Sequence, residues 1–137
     1  MYIAPHARAA NAYRKVNVET NVDGASPHQL IVLLFDGLRQ SLATAESALL
    51  RGDIPTKGAQ IVRSVRFLEE GLKAGLDDAK GGELAANLRA LYDYCISRLT
   101  TANLRNDAKA VAEVAALIAP LAQGWKEIGS AAAAPAA

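Results

Sequence analysis

Residues 26–53 read Ser-Pro-His-Gln-Leu-Ile-Val-Leu-Leu-Phe-Asp-Gly-Leu-Arg-Gln-Ser-Leu-Ala-Thr-Ala-Glu-Ser-Ala-Leu-Leu-Arg-Gly-Asp. The segment carries its own start and stop signals. Ser26 can accept the orphan backbone N–H of Gln29 while the Gln29 side chain reaches back, and Pro27 is preset for the first helical position. Gly52 can take the left-handed conformation that ends a helix. The spacing predicts a helix over 27–50. Working outward, the same punctuation recurs at Gly81-Gly82 and Asn106-Asp107, and the intervals Ser26 to Asp53, Asp53 to Gly81 and Gly81 to Asp107 are 27, 28 and 26 residues. Equal lengths joined by short turns pack as antiparallel neighbours, so the expected fold is all-α, an antiparallel up-down four-helix bundle. Its helices fall at about 27–50, 55–79, 83–104 and 108–128. A helix of about 24 residues is roughly 36 Å long.

Each segment carries an inward stripe at helical spacing. Ile61, Val65, Leu68, Leu72 and Leu76 form that of the second helix, and Leu84, Leu88, Leu91, Cys95 and Leu99 that of the third. The fourth offers Val111, Val114, Leu117, Ile118, Leu121, Trp125 and Ile128, with Asp107 as its cap and Pro120 inside it. That proline removes one hydrogen bond and is expected to bend the helix. Residues 1–25 read as an N-terminal arm or short docked helix, in which Ala9, Ala12, Tyr13 and Val16 share a face. Residues 130–137, nearly all alanine, read as a disordered tail.

Composition narrows the function. The 137 residues suit one domain, with 51 % apolar and only 5 % aromatic content, as expected for helices packed through aliphatic side chains. A net charge of +1 provides no field to attract nucleic acid or anionic lipid. The longest purely apolar run near a plausible span, Leu30 through Phe35, is far short of the ~20 residues a membrane crossing needs. A single cysteine, Cys95, and no basic-then-apolar leader give the expectation of a soluble protein of the reducing cytoplasm.

Catalytic and metal constellations are missing from the pattern. His6 and His28 are the only histidines and neither belongs to a Glu-x-x-His pair. His28 reads as a surface residue near a helix start, and Cys95 as a small core residue with no base nearby. Glu69-Glu70 and Asp77-Asp78 alternate with Arg63, Arg66, Lys73 and Lys80, the pattern of a solvated, ion-paired face. Gly81-Gly82 follows no strand and is no phosphate loop. The expectation is no enzyme, no cofactor and no metal.

Two features exceed what a plain bundle needs. Leu30-Ile31-Val32-Leu33-Leu34-Phe35 is apolar on every face for more than a turn, whereas a bundle helix needs about three apolar positions in seven. Ala112, Ala115, Ala116, Ala119 and Ala122 form a shallow second face on the last helix. Aliphatic walls over small residues make a groove that can take an amphipathic helix. The competing reading is that alanine merely favours helix and that the arm covers the first helix.

Strings of residues then point to a family. Ala12-Tyr13, Val16, Val18-Glu19, Ser26-Pro27-His28-Gln29-Leu30, Phe35-Asp36-Gly37, Gly52-Asp53 and Lys73-Ala74-Gly75-Leu76-Asp77 come first, in that order. Gly81-Gly82-Glu83, Asn87-Leu88, Leu91-Tyr92-Asp93-Tyr94, Arg98-Leu99, Ala102-Asn103, Asn106-Asp107 and Trp125 follow. Over Met1 to about Ile128 the chain resembles the flagellin-specific export chaperones of bacterial flagella, the FliS family. It departs at Cys95, where the family commonly has Met, and in the alanine-rich tail.

The resemblance implies a cytoplasmic bundle that holds the C-terminal segment of flagellin, blocks premature polymerisation and presents it to the flagellar type III export apparatus. The partners it implies are therefore flagellin and a component of the export gate; charge and apolar-run length give the expectation of no nucleic acid and no membrane insertion, and the chain is expected to be a monomer or weak dimer. It also implies that the arm can lie over the binding surface. On that basis Tyr13 and Val16 are assigned to the movable arm, and Leu30, Leu33 and Leu34 to the surface it covers; ordinary core is the competing reading for Leu30 and Leu34. Tyr92 and Tyr94, two apart on a helix, cannot both face inward, so one is expected to be accessible. Asn87, Asn103 and Asn106 are candidates for hydrogen bonds to an incoming helix or to the adjacent turn, the turn being favoured for Asn106. The alternative function is a regulatory helical adaptor or self-associating bundle using the same groove.

Overall fold

The computed structural model describes residues 24–133. Four helices follow one another: α1 (Pro27–Leu50), α2 (Ile54–Arg66, continued by a π-helical stretch Phe67–Lys73), α3 (Asp78–Arg105) and α4 (Ala108–Ala133). Short connections make successive helices antiparallel, and α1 packs against both α2 and α4. The described residues form an all-α four-helix bundle without strands.

Local chemistry explains most of the boundaries. Ser26 Oγ accepts the Gln29 N–H at 3.1 Å while Gln29 Oε1 accepts the Ser26 N–H at 2.9 Å. Both orphan donors at the start of α1 are thereby satisfied. Gly52 at φ +74° ends the α1 turn, and Asp53 accepts the Thr56 N–H at 3.2 Å to start α2. Asn106 takes the left-handed conformation at φ 54° and closes α3, a role open to asparagine because its short polar side chain tolerates that region.

Asp107 Oδ1 accepts N–H groups from Lys109 at 3.0 Å and Ala110 at 3.2 Å. Replacing Asp107 by Ala removes the cap of α4. The expected loss is about 1 kcal/mol, read as a lower urea midpoint with an unchanged slope.

The second and third helices depart from the boundaries read from the sequence. The second stops at Lys73 rather than 79, and the third begins at Asp78 rather than 83. The cause is Asp77, whose extended backbone (φ −109°, ψ 98°) and side chain, accepting the Lys80 N–H at 3.1 Å, start a new helix there. Gly81-Gly82 is therefore no connection. It lies within α3, where Gly82 at φ 51°, ψ −126° kinks the helix, a conformation that favours glycine. The fourth helix runs to Ala133, five residues past the expected end.

The core is mainly aliphatic, with the rings of Phe67, Phe35 and Tyr92 buried in it. Leu30, Leu34, Leu38 and Leu42 from α1 meet Ile61, Phe67 and Leu68, then Cys95 and Leu99, then Val111, Val114 and Ile118. Helix α1 approaches the π-helical stretch closely. A Cβ built on Gly37 would overlap the Phe67 ring, and one on Gly71 would lie 3.0 Å from a Leu34 methyl. Leu84 and Ile128, expected inward, are instead 66 % and 60 % exposed.

Candidate functional site

At the end of the bundle where α1 begins, the helices do not close on one another. An apolar groove of about 310 Å³ opens there. Its walls are built from residues four apart on each element: Ile31 and Phe35 from α1, Leu72 and Leu76 around the end of the π-helical stretch, Leu88 and Tyr92 from α3, Leu121 and Trp125 from α4. Pro27, His28 and Gly75 complete it. A second hollow of about 300 Å³ shares Gly75, Leu76, Leu88 and Trp125 and extends it past Lys80 to Leu84. The connection after the second helix supplies Gly75 and Leu76 to both hollows.

Trp125 forms one end of the groove. Its Nε1–H donates to the His28 carbonyl at 3.3 Å, and its ring stacks on the His28 imidazole at 5.2 Å between centroids and 11° between planes. Gly129 leaves the space that the imidazole occupies, since a Cβ there would overlap it. His28 is thus half-buried in the wall rather than a surface residue.

The candidate residues separate by helical phase. Leu30 and Leu34 are fully buried in the core and Leu33 is half-buried, none of them lining the groove. The row that lines it is Pro27, His28, Ile31 and Phe35, the neighbouring face of the same helix. Tyr92 is 3 % exposed and lines the groove, whereas Tyr94 is 45 % exposed and points away. Asn87 is exposed. Asn103 receives the buried Lys57, whose Nζ donates to both its backbone oxygen and Oδ1 at 2.9 Å, so it joins two helices. Tyr13 and Val16 lie outside the described residues. The alanines of α4 expected to floor the groove do not line it; Leu121 and Trp125 take that place.

Tyr94 belongs to a clip between α3 and α4. Its hydroxyl donates to Glu113 Oε2, and Arg98 Nε donates to Glu113 Oε1 at 2.8 Å. The Tyr94 hydrogen bond first, and Arg98 second, hold the Glu113 carboxyl below its ordinary range. A depressed carboxylate stabilises the fold above its unfolded value, and that contribution is lost as pH falls through the folded value. Glu113→Gln is therefore expected to flatten the acid side of the stability profile, measured by urea unfolding between about pH 3 and 7. On the inner side of α3, Cys95 is fully buried, and burial pushes its thiol up to about 11, which leaves an inert core residue.

The comparisons with known proteins bear on what such a groove serves. The family model described as flagellar protein FliS matches residues 9–132. The chain belongs to the FliS family. It is 50 % identical over 122 residues to the flagellar secretion chaperone FliS of Salmonella typhimurium, covering 89 % of this chain and 90 % of that one. The flagellar secretion chaperone FliSB of Pseudomonas aeruginosa is 42 % identical over 121 residues, 88 % of this chain and 95 % of that one. FliS of Escherichia coli is 40 % identical over 121 residues, 88 % and 89 % of the two chains. The matched region takes in every residue lining the groove, so the groove is built wholly from FliS family sequence.

Sequence reasoning missed Phe35, Leu72, Leu88 and Leu121 as groove residues because they share the hydrophobic spacing of the core. The usable signals were Trp125, the one tryptophan of an aromatic-poor chain, and the run of apolar residues in α1. Other exposed aliphatic residues, Leu50 and Ile54 beside the α1–α2 turn and Leu104 near the end of α3, lie at the far end of the bundle, about 35 Å along α1 from Pro27.

Proposed function

We propose that the groove between Ile31, Leu76, Leu88 and Trp125 seats an amphipathic helical part of the C-terminal segment of flagellin. In this reading the chain keeps newly made flagellin from polymerising in the cytoplasm and hands it to the flagellar export apparatus. The observation that carries it is an open apolar groove, supplied by all four helices, in a member of a family of flagellar secretion chaperones. Its role is binding rather than catalysis. No described helix is long and apolar enough to cross a membrane, which is compatible with a cytoplasmic site of action.

The energetics favour reversible capture. A segment that is disordered alone and helical when bound offsets its ordering cost by burying apolar surface. Burial of ~1,000 Å² at about 25 cal/mol per Å² gives ~25 kcal/mol gross, most of it consumed by ordering and association. The net affinity is therefore moderate to tight, and release at export requires no nucleotide. The arm that precedes Ser26 joins the bundle beside Pro27, at the groove itself. In the same reading Tyr13 and Val16 belong to an arm that serves as a cover until flagellin displaces it.

Titration calorimetry of the full chain with the flagellin C-terminal segment tests this reading. The expected result is a one-to-one complex with a negative heat-capacity change. No heat and no binding at several temperatures would reject it. Light scattering of the free chain addresses the adaptor alternative, because an obligate dimer seated through the groove would leave no room for flagellin.

A further inference from the structure

Tyr92 is 3 % exposed and forms part of the groove wall beside Leu88 and Phe35. Its ring packs in the wall, and its hydroxyl forms no hydrogen bond with any described residue but is not sealed from solvent in the open groove. Tyr94, two positions along the same helix, has its hydroxyl paired with Glu113. Buried tyrosines ordinarily find a partner for the hydroxyl, because an unpaired polar group out of water is unfavourable. Burial pushes the Tyr92 phenol up to about 12, so at neutral pH it is an uncharged donor. A phenol in the wall of a binding groove whose hydroxyl has only solvent for a partner would lose that partner when a ligand covers it, and is matched to an acceptor that arrives with the ligand.

We propose that Tyr92 is a specificity-determining residue of the groove, donating its hydroxyl hydrogen to a neutral side-chain acceptor on the otherwise apolar face of the bound segment. This rests on the reading of the groove as the flagellin site. The acceptor is a side chain because the carbonyls inside a helical segment are already engaged by its own N–H groups. It is the carboxamide or hydroxyl oxygen of Asn, Gln, Ser or Thr, because a carboxylate beside Tyr92 would be desolvated against Phe35 and Leu88 without a cation. A segment with hydrocarbon at that point would bury the phenol unpaired. Tyr92 therefore discriminates against segments that satisfy the groove by hydrophobicity alone.

The test compares the full chain with its Tyr92→Phe variant. Each is titrated by calorimetry with the flagellin C-terminal segment and with versions in which each Asn, Gln, Ser or Thr is changed singly to Ala, and each free protein is melted. The variant is expected to melt at about the same temperature, since Phe fills the same space and the hydroxyl it removes bonds no protein group in the free chain. It is expected to bind about 5- to 10-fold more weakly, the effect of one net hydrogen bond. One alanine substitution in the segment is expected to weaken binding to the natural chain by a similar factor and to leave binding to Tyr92→Phe unchanged.

Equal affinity of the two proteins, or absence of any segment position coupled to Tyr92, would overturn the assignment while leaving the flagellin site standing. A fall in melting temperature that accompanies the lost affinity would also overturn it, by assigning Tyr92 a structural role. Failure of the natural chain to bind the segment at all would overturn the flagellin reading, and this inference with it.

Discussion

Leu76→Asp is expected to weaken binding of the flagellin C-terminal segment by about 30- to 100-fold, the range of a binding hot spot. Leu76 is half-buried, sits in the connection between the second and third helices, and lines both lobes of the groove. An aspartate there is too short to carry its charge to the rim, so the bound segment would have to desolvate it. The fold itself is expected to lose only about 1–2 kcal/mol, because no helix interior is interrupted. Leu84→Asp supplies the comparison. Leu84 is 66 % exposed and touches only the outer lobe, so its effect on affinity is expected to be smaller and its effect on stability negligible. Circular dichroism and urea unfolding of the free variants, set beside their calorimetric affinities, check both parts.

Phe67→Ala is expected to destabilise the bundle by about 3–5 kcal/mol, a large share of the ~5–15 kcal/mol that holds a domain together. Phe67 is fully buried at the first position of the π-helical stretch and packs on the bare backbone of Gly37. The groove's inner wall, Phe35 and Leu72, flanks this crossing in sequence on both helices. Gly37→Ala acts by the opposite means, forcing a methyl into the Phe67 ring, and is expected to cost about 1–3 kcal/mol. In the double variant that methyl enters the space the ring has vacated. The two costs are therefore expected to sum to less than their separate values, a coupling measurable by urea unfolding of the four proteins.

What could be read from the residues follows physical locality. The first helix was legible because a capping box and a proline fix its start and Gly52 its stop, all within a few residues of the events they control. The number of helices and their antiparallel order followed from equal segment lengths. The join between the second and third helices was not legible. Asp77-Asp78 resembles a charged helix end as much as a cap, and Gly81-Gly82 is the stronger punctuation, yet Asp77 caps while Gly82 only kinks.

The groove takes Gly75 and Leu76 from that same join, so this part of its lining could not be read from the expected helix bounds. The excess of apolar residues on α1 did not say which face meets the core and which lines the groove. Leu30 and Leu34 lie on the core row, and Ile31 and Phe35, one position on from each, lie on the groove row. A rotation of about 100° between adjacent residues separates core from site, and composition cannot assign that phase. Trp125 and His28 were visible as members of family strings, but their stacking depends on a contact across 97 residues of sequence.

The most direct measurement of the central claim is the emission of Trp125, the only tryptophan in the chain and one wall of the groove. Titration with a tryptophan-free flagellin C-terminal segment is predicted to shift that emission to shorter wavelength as water leaves the indole, saturating at one equivalent. Saturable binding by calorimetry with Trp125 emission unchanged would place the segment elsewhere on the bundle and contradict the account.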